Sequence, residues 1–158
     1  MKKKQLEFNI KGNLLEVADF TWLIDRINMI YVAPNCNNLN MSFAIYIATS
    51  NDIVKLYFES KKLEEVLQQF KTLCSAINEN KHNFKEYAYA FFNLDNIKNF
   101  KHFYITDEIK NIKGKHVYSA RVTAISNGGM SVNLVLTGQE LEDFKSTINK
   151  QQEESFNI

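Results

Sequence analysis

The chain has 158 residues, a formal net charge of +1 and a hydrophobic content of 45%. This length predicts one domain over 1–158, large enough to fold without a disulfide or a structural metal. The near-neutral charge excludes a global electrostatic attraction to nucleic acid or to an anionic membrane. Two cysteines without metal-ligand spacing, no secretory segment and no apolar run of about 18 residues predict a cytoplasmic protein without membrane contact.

The amino-terminal part is predicted to form two strands and a helix. Alternating apolar residues predict a strand at Leu6–Ile10. Leu14–Val17 is interpreted as a return strand, and the start of the following helix is the alternative. Asp19 has the side chain of a helix N-cap, and apolar residues then recur at helical spacing from Phe20 to Tyr31. The sequence therefore predicts an amphipathic helix over Phe20–Tyr31. Proline and clustered asparagine at 33–38 predict the turn that ends it.

The middle of the chain shows a strand, a turn, a strand and a second helix. Period-two alternation predicts strands at Met41–Ile47 and Val54–Phe58, separated by a polar turn at 49–52. Ser60 is a candidate cap for a helix whose apolar stripe extends over Leu63–Ile77. We therefore expect this helix to lie over the preceding hairpin.

A second apolar region follows a polar break at 78–83. Glu86–Phe92 is apolar on both faces, which predicts one central strand buried on both sides. Another short strand is predicted at His102–Thr106, and a loop around Gly114 is expected to lead into the last unit.

The clearest local signals lie between His116 and Lys150. Two alternating strands flank Ser126–Gly129, whose Asn-Gly step tolerates the positive φ angles of a tight hairpin turn. Thr137 and Glu140 have the spacing of a capping box, which begins a third helix through Ile148. This unit is therefore predicted to be strand, turn, strand and helix, with a polar tail at 151–158 that frays.

These elements predict a single α+β domain. Short hairpins favour a mainly antiparallel sheet of about seven or eight strands with about three helices packed on it. The segments 41–77 and 117–148 share the order strand, turn, strand, helix, which suggests an internal ββα repeat. Independent occurrence of a common motif is the alternative.

No residue stands out as catalytic, cofactor-binding or metal-binding. The three histidines have no metal-ligand spacing, and each follows a lysine, whose charge disfavours a bound cation. The paired carboxylates lie at predicted helix starts, where they complement the helix dipole. We therefore expect a protein that is not an enzyme and has no cofactor.

The segment 81–118 combines lysines with nine phenylalanine or tyrosine residues. Cations along a strand with rings between them are typical of single-stranded nucleic-acid binding. Candidate contacts are Lys98, Lys101, Lys113 and Lys115. The alternative is that the rings form the core and the lysines solvate the outside, which the absence of arginine in this segment favours.

The leading hypothesis is a non-catalytic protein-binding module of the inhibitor, immunity or assembly-factor type. The composition, rich in Asn, Lys and Ile with one proline, suggests a bacterial, phage or mobile-element gene. Nucleic-acid binding through 81–118 and a small-molecule site or unrecognised enzyme are the alternatives. An exposed edge strand would also permit a homodimer.

Overall fold

The computed structural model of this chain describes residues 6–37 and 40–156. These residues form eleven strands, two α-helices and two 3₁₀ helices. The α-helices are α1 (Leu63–Glu79) and α2 (Gly138–Phe156), and the 3₁₀ helices span Ile24–Arg26 and Leu94–Asn99. The strands are β1 (Phe8–Lys11), β2 (Leu14–Val17), β3 (Phe20–Leu23), β4 (Met29–Asn37), β5 (Asn40–Ala48), β6 (Ile53–Ser60), β7 (Phe84–Tyr87), β8 (Ala90–Asn93), β9 (Phe100–Ile112), β10 (Lys115–Ser126) and β11 (Ser131–Thr137).

The strands form three sheets, and every described strand pair is antiparallel. A central sheet has the order β6-β5-β4-β8-β7, and two three-stranded sheets have the orders β1-β2-β3 and β11-β10-β9. The predicted α+β class with mainly antiparallel sheet is therefore confirmed. The helix α2 continues to Phe156, through most of the tail at 151–158, and residues 157–158 lie outside the described part.

Two apolar clusters cover the two faces of the central sheet. Ile30 and Val32 belong to the cluster that contains α1, whereas Met29 and Tyr31 belong to or pack against the cluster that contains α2. Successive side chains of a strand point to opposite faces, so β4 contributes to both clusters. The central sheet is thus packed on both sides.

The order hairpin, 3₁₀ helix, three strands, α-helix occurs twice, over 14–79 and 84–156. Ala18 and Ala88, which are 70 positions apart, have φ angles of 52° and 51° at equivalent hairpin turns. The ββα order predicted for 41–77 and 117–148 is part of this larger unit. Duplication of an ancestral unit stays a prediction, now with wider boundaries.

The predicted helix over Phe20–Tyr31 is wrong. The segment forms β3, a 3₁₀ turn and the start of β4. Its helical spacing is a coincidence, because Ala18 and Asp19 form the turn of the β2–β3 hairpin and β4 is held by pairing with β5 and β8. Tertiary strand pairing overrides local periodicity here.

Glu86–Phe92 is also not one strand. Ala88 and Tyr89 make a two-residue turn between β7 and β8. Ala88 has positive φ, which costs a non-glycine residue roughly 1 kcal/mol. Because alanine is not typical of such turns, the composition of this segment does not indicate one. Phe84 and Phe91 therefore pack on the α1 side of the sheet, and Tyr87 and Phe92 on the α2 side.

Buried amides join the two halves of the chain. The Asn93 amide Nδ2 donates to the carbonyl oxygen of Ile27 at 3.0 Å, and the Asn93 backbone N–H donates to the carbonyl of Asn28 at 3.0 Å. Asn96 Nδ2 also donates to Ile27 O at 3.0 Å. Among the described residues, no buried side-chain polar atom is left without a partner. This satisfied network fixes the halves in one relative position.

The β10–β11 turn contacts the β5–β6 turn at the same junction. Ser126 Oγ donates to the Ser50 carbonyl oxygen at 2.8 Å, and Ser126 is buried. A Cβ placed on Gly128 would lie 2.0 Å from that same carbonyl oxygen. Only glycine therefore fits at 128 without a shift of backbone.

Gly128→Ala is expected to lower the free energy of unfolding by about 2 to 3 kcal/mol, because the added methyl overlaps backbone. Gly129→Ala is the control, since Gly129 has φ +89° but open space around it and should cost only about 1 kcal/mol. Chemical denaturation of both variants measures the difference. An equal or smaller loss for Gly128→Ala would contradict the contact between the two turns.

Candidate functional site

The edge strand β11 differs from the other edges of the three sheets. Its sequence, SVNLVLT, contains neither charge nor proline over seven residues. The edges β1, β6, β7 and β9 each carry lysine, and β3 is only four residues long. Natural proteins protect edge strands with charge, proline or short length. In the described chain, β11 therefore has the longest unprotected edge.

The outward backbone groups of β11 follow from its pairing with β10. Ser126 N donates to Met130 O at 2.9 Å, which fixes the hydrogen-bonding phase of the hairpin. Antiparallel pairs alternate between bonded and non-bonded, so Val132, Leu134 and Leu136 direct their amides toward β10. The outward N–H and C=O groups therefore belong to Ser131, Asn133, Val135 and Thr137.

A second edge lies across from β11. The described part of β8 pairs with β4 only over Met29–Tyr31, so the remainder of β4 lacks a strand on that side. Val32 N donates to Tyr89 O at 2.9 Å, and Pro34 directs its nitrogen to the same side two residues later. The predicted turn at 33–38 is therefore wrong for 33–37, and residue 38 lies outside the described residues. Proline fits this strand because its missing N–H falls on the unpaired side.

These two edges bound a groove of about 510 Å³, which we call the β4–β11 groove. Tyr89 and Val135 are 48% and 53% exposed beside it, a large exposure for apolar side chains. Burial, and secondarily Tyr46, raises the pKa of the Tyr31 phenol to about 12, so this wall is uncharged at neutral pH. The groove is lined by Tyr31–Pro34 of β4, Ala88–Ala90 at the β7–β8 turn, Val132–Val135 and Thr137 of β11, and Glu140 of α2.

Among the described residues of this lining, Glu140 alone carries a charge. Its Oε2 accepts a hydrogen bond from the backbone N–H of Ala88 at 2.8 Å. The predicted capping box is therefore corrected, because the carboxylate bonds to the β7–β8 turn rather than to Thr137. The bond ties α2 to the β7–β8 turn, which lines the groove.

A polar cluster beside the groove has the composition of a catalytic site. The Tyr87 hydroxyl donates to Asp143 Oδ2 at 3.0 Å and lies 2.8 Å from Thr147 Oγ1. Lys85 forms an ion pair with Asp143 and lies over the Tyr87 ring, 5.3 Å from its centroid. Each group is satisfied by another member, so the cluster attaches α2 to β7 rather than presenting a free nucleophile.

The four lysines predicted for nucleic-acid binding fall into two separate pairs. Lys98 in the second 3₁₀ helix and Lys101 at the start of β9 are exposed. Lys113 is exposed at the β9–β10 turn, and Lys115 follows in β10, its side chain lying outside the described part. Twelve residues of extended strand span roughly 40 Å, so the pairs lie at opposite ends of this hairpin.

The aromatic residues of 81–118 are mostly in the core. Five of the nine are buried: Phe84, Tyr87, Phe91, Phe92 and Phe100. Tyr104 is 56% exposed, and its ring lies against His102 with a centroid distance of 5.4 Å. The described rings therefore do not form a continuous stacking surface along the lysines.

Other candidate groups have structural surroundings. His82 Nε2 lies 2.9 Å from the carbonyl oxygen of Gly12. Cys74 is buried on α1, and burial raises its thiol pKa, which keeps the thiol protonated. Within 6–37 and 40–156, no three His, Cys, Asp or Glu side chains are grouped as a metal site would require. No helix in those ranges is long and apolar enough to span a bilayer.

Comparison of the chain with protein-family models, curated proteins and solved structures gave no match. The sequence does not indicate the groove, although its alternating pattern correctly predicts β11 as a strand. The signal was the absence of charge and proline from 131–137, but this becomes informative only when strand order shows that β11 is an edge.

Asp143→Asn is expected to weaken the dependence of stability on acidic pH. Hydrogen bonds from Lys85 and then Tyr87 hold the pKa of Asp143 below its usual value. A lowered folded-state pKa contributes stability that is present above about pH 4 and lost as pH falls through the folded-state value. Thermal unfolding between pH 2 and 7 measures the effect. The exposed neighbour Glu142, replaced by Gln, is the control, and identical pH profiles for all three proteins would contradict the role of Asp143.

Proposed function

We propose that this protein is a non-catalytic binding module that holds an extended segment of a partner protein by strand addition to β11. The observation that carries the proposal is the unprotected outer edge of β11 beside the β4–β11 groove. Main-chain hydrogen bonds to an edge strand supply affinity, and pockets for alternate side chains supply specificity. An inhibitor, immunity or assembly-factor role belongs to this proposal as its biological class.

The groove favours a single extended segment over a second folded copy. Val32–Pro34 and Tyr89 face β11 from the opposite side. A segment paired with β11 occupies the space between the walls, whereas a sheet from another copy would need room for its own neighbouring strands. Pro34 cannot donate a hydrogen bond, so β11 supplies the pairing and β4 supplies an apolar wall. A homodimer through β11 is the alternative occupant, and light scattering separates it from the 18.4 kDa monomer.

The two other hypotheses have less support. Nucleic-acid binding would need Lys98 and Lys101 to act with Lys113 and Lys115, from which they are separated along β9. Oligonucleotide titration at two salt concentrations tests it, since phosphate contacts make affinity fall with salt. An enzyme or small-molecule site would need several ionisable groups converging in the groove, and the described lining carries one carboxylate.

Val135→Pro is expected to abolish partner binding while the fold is retained. Proline at 135 removes an outward N–H and leaves the β10–β11 ladder intact, so the free energy of unfolding should change by about 1 kcal/mol or less. Capture from an extract of the native host, followed by mass spectrometry, measures binding. A stoichiometric partner should be retained by the wild-type chain and lost by the variant.

Val135→Thr is the matched control, because it keeps the outward N–H and the strand preference. It should capture the same partner as the wild-type chain. Leu134→Pro serves as a contrast, since it removes both an inward hydrogen bond and a buried apolar side chain and should cost more than about 3 kcal/mol of stability. Capture of the same proteins by Val135→Pro, or no stoichiometric partner with the wild-type chain, would contradict strand addition.

A further inference from the structure

Glu140 differs in its ion pairs from Glu86 on β7 and Asp143 on α2. Glu86 is paired with Lys71 at 3.2 Å, and Asp143 is paired with Lys85. Across 6–37 and 40–156, no lysine, arginine or histidine forms a described ion pair with Glu140, which is partly buried in the lining of the groove. The described lining of the groove therefore offers one negative charge among otherwise uncharged side chains.

The carboxylate of Glu140 has remaining hydrogen-bonding capacity. An ionised carboxylate has about four acceptor positions, and the Ala88 amide occupies one of them on Oε2. A cation brought into a partly dehydrated groove forms stronger charge-assisted hydrogen bonds than it would at an open surface. A basic side chain of a bound segment would complete this site.

The position of Glu140 also sets where that basic residue must lie. Glu140 follows the last residue of β11 by three positions, beyond Thr137. A segment that pairs antiparallel with β11 has its amino-terminal end next to Thr137. Its following side chains alternate between the face of β11 that carries Leu134 and the face that carries Val135, and both residues line the groove.

We propose that the β4–β11 groove selects an extended, antiparallel protein segment with a lysine or arginine near its amino-terminal end, opposite Glu140, followed by apolar residues at alternate positions. This inference rests on the proposed strand addition to β11 and names the chemistry of the partner. Glu140 acts as a specificity-determining residue, because it distinguishes a basic residue from an acidic or neutral one at a single position.

Selection from a random peptide library displayed on phage tests the inference with the full chain as bait. Wild-type protein should enrich peptides with Lys or Arg at one position, followed by alternating apolar residues. Glu140→Gln keeps an acceptor for the Ala88 amide and should lose the basic preference. Glu140→Lys should shift the preference at that position to Asp or Glu. Glu142→Lys, which introduces the same charge on α2 outside the groove lining, should select as the wild-type chain does.

A peptide selected by the wild-type chain then gives the size of the effect. Replacing its basic residue by glutamine should weaken binding about tenfold to the wild-type chain and leave binding to Glu140→Gln unchanged. Two results would overturn the role of Glu140. The selected peptides could alternate apolar residues without any preference for a basic one, or the basic preference could be the same with Glu140→Lys as bait. Either result would leave the proposed strand addition to β11 intact. If the wild-type chain enriches peptides no more than Val135→Pro does, both the role of Glu140 and strand addition to β11 are overturned.

Discussion

The pairing of β8 with β4 over three residues is the constraint on which the remaining architecture depends. It joins the β7–β8 hairpin of the second half to the sheet that β4, β5 and β6 of the first half form. Asn93 fixes the end of this short ladder through bonds to Ile27 and Asn28. Because β8 begins at Ala90, no described strand pairs with β4 beyond Val32 on the side opposite β5. The β4–β11 groove is the space that this incomplete pairing leaves.

The two walls of the groove contribute different chemistry. On the β4 side, Val32 is already bonded to Tyr89, and Pro34 has no N–H to offer. On the β11 side, four residues direct their amide and carbonyl groups away from β10 and toward the groove. Backbone polar groups that become buried need partners, so any chain that covers β11 must be extended and supply matching groups. In the proposed interface, an extended strand matches these groups better than a compact small molecule, and main-chain geometry contributes more than particular side chains.

The sequence was most informative where turn chemistry and periodicity agreed. Asn127-Gly128 marked the β10–β11 hairpin, and the apolar stripe of Leu63–Ile77 marked α1. It failed at Ala18 and Ala88, where positive φ is held by strand pairing and no glycine or asparagine marks the turn. Alignment of the chain with itself at an offset of 70 would have matched Ala18 with Ala88, Asp25 with Asp95 and Ile27 with Ile97. A sequence with the composition of β11 can form either an edge strand or a central strand, and only the adjacent strands distinguish the two. The groove could therefore not be predicted.

Residue-resolved amide hydrogen exchange along β11, measured by NMR on the free chain, tests the account most directly. The inward amides of Val132, Leu134 and Leu136 are bonded to β10 and should exchange slowly. Those of Asn133 and Val135 face the groove and should exchange about a hundredfold faster, since local protection follows hydrogen bonding and burial. Uniform protection across 131–137 would mean that the outer edge of β11 is already covered, which would contradict an open site for a partner strand.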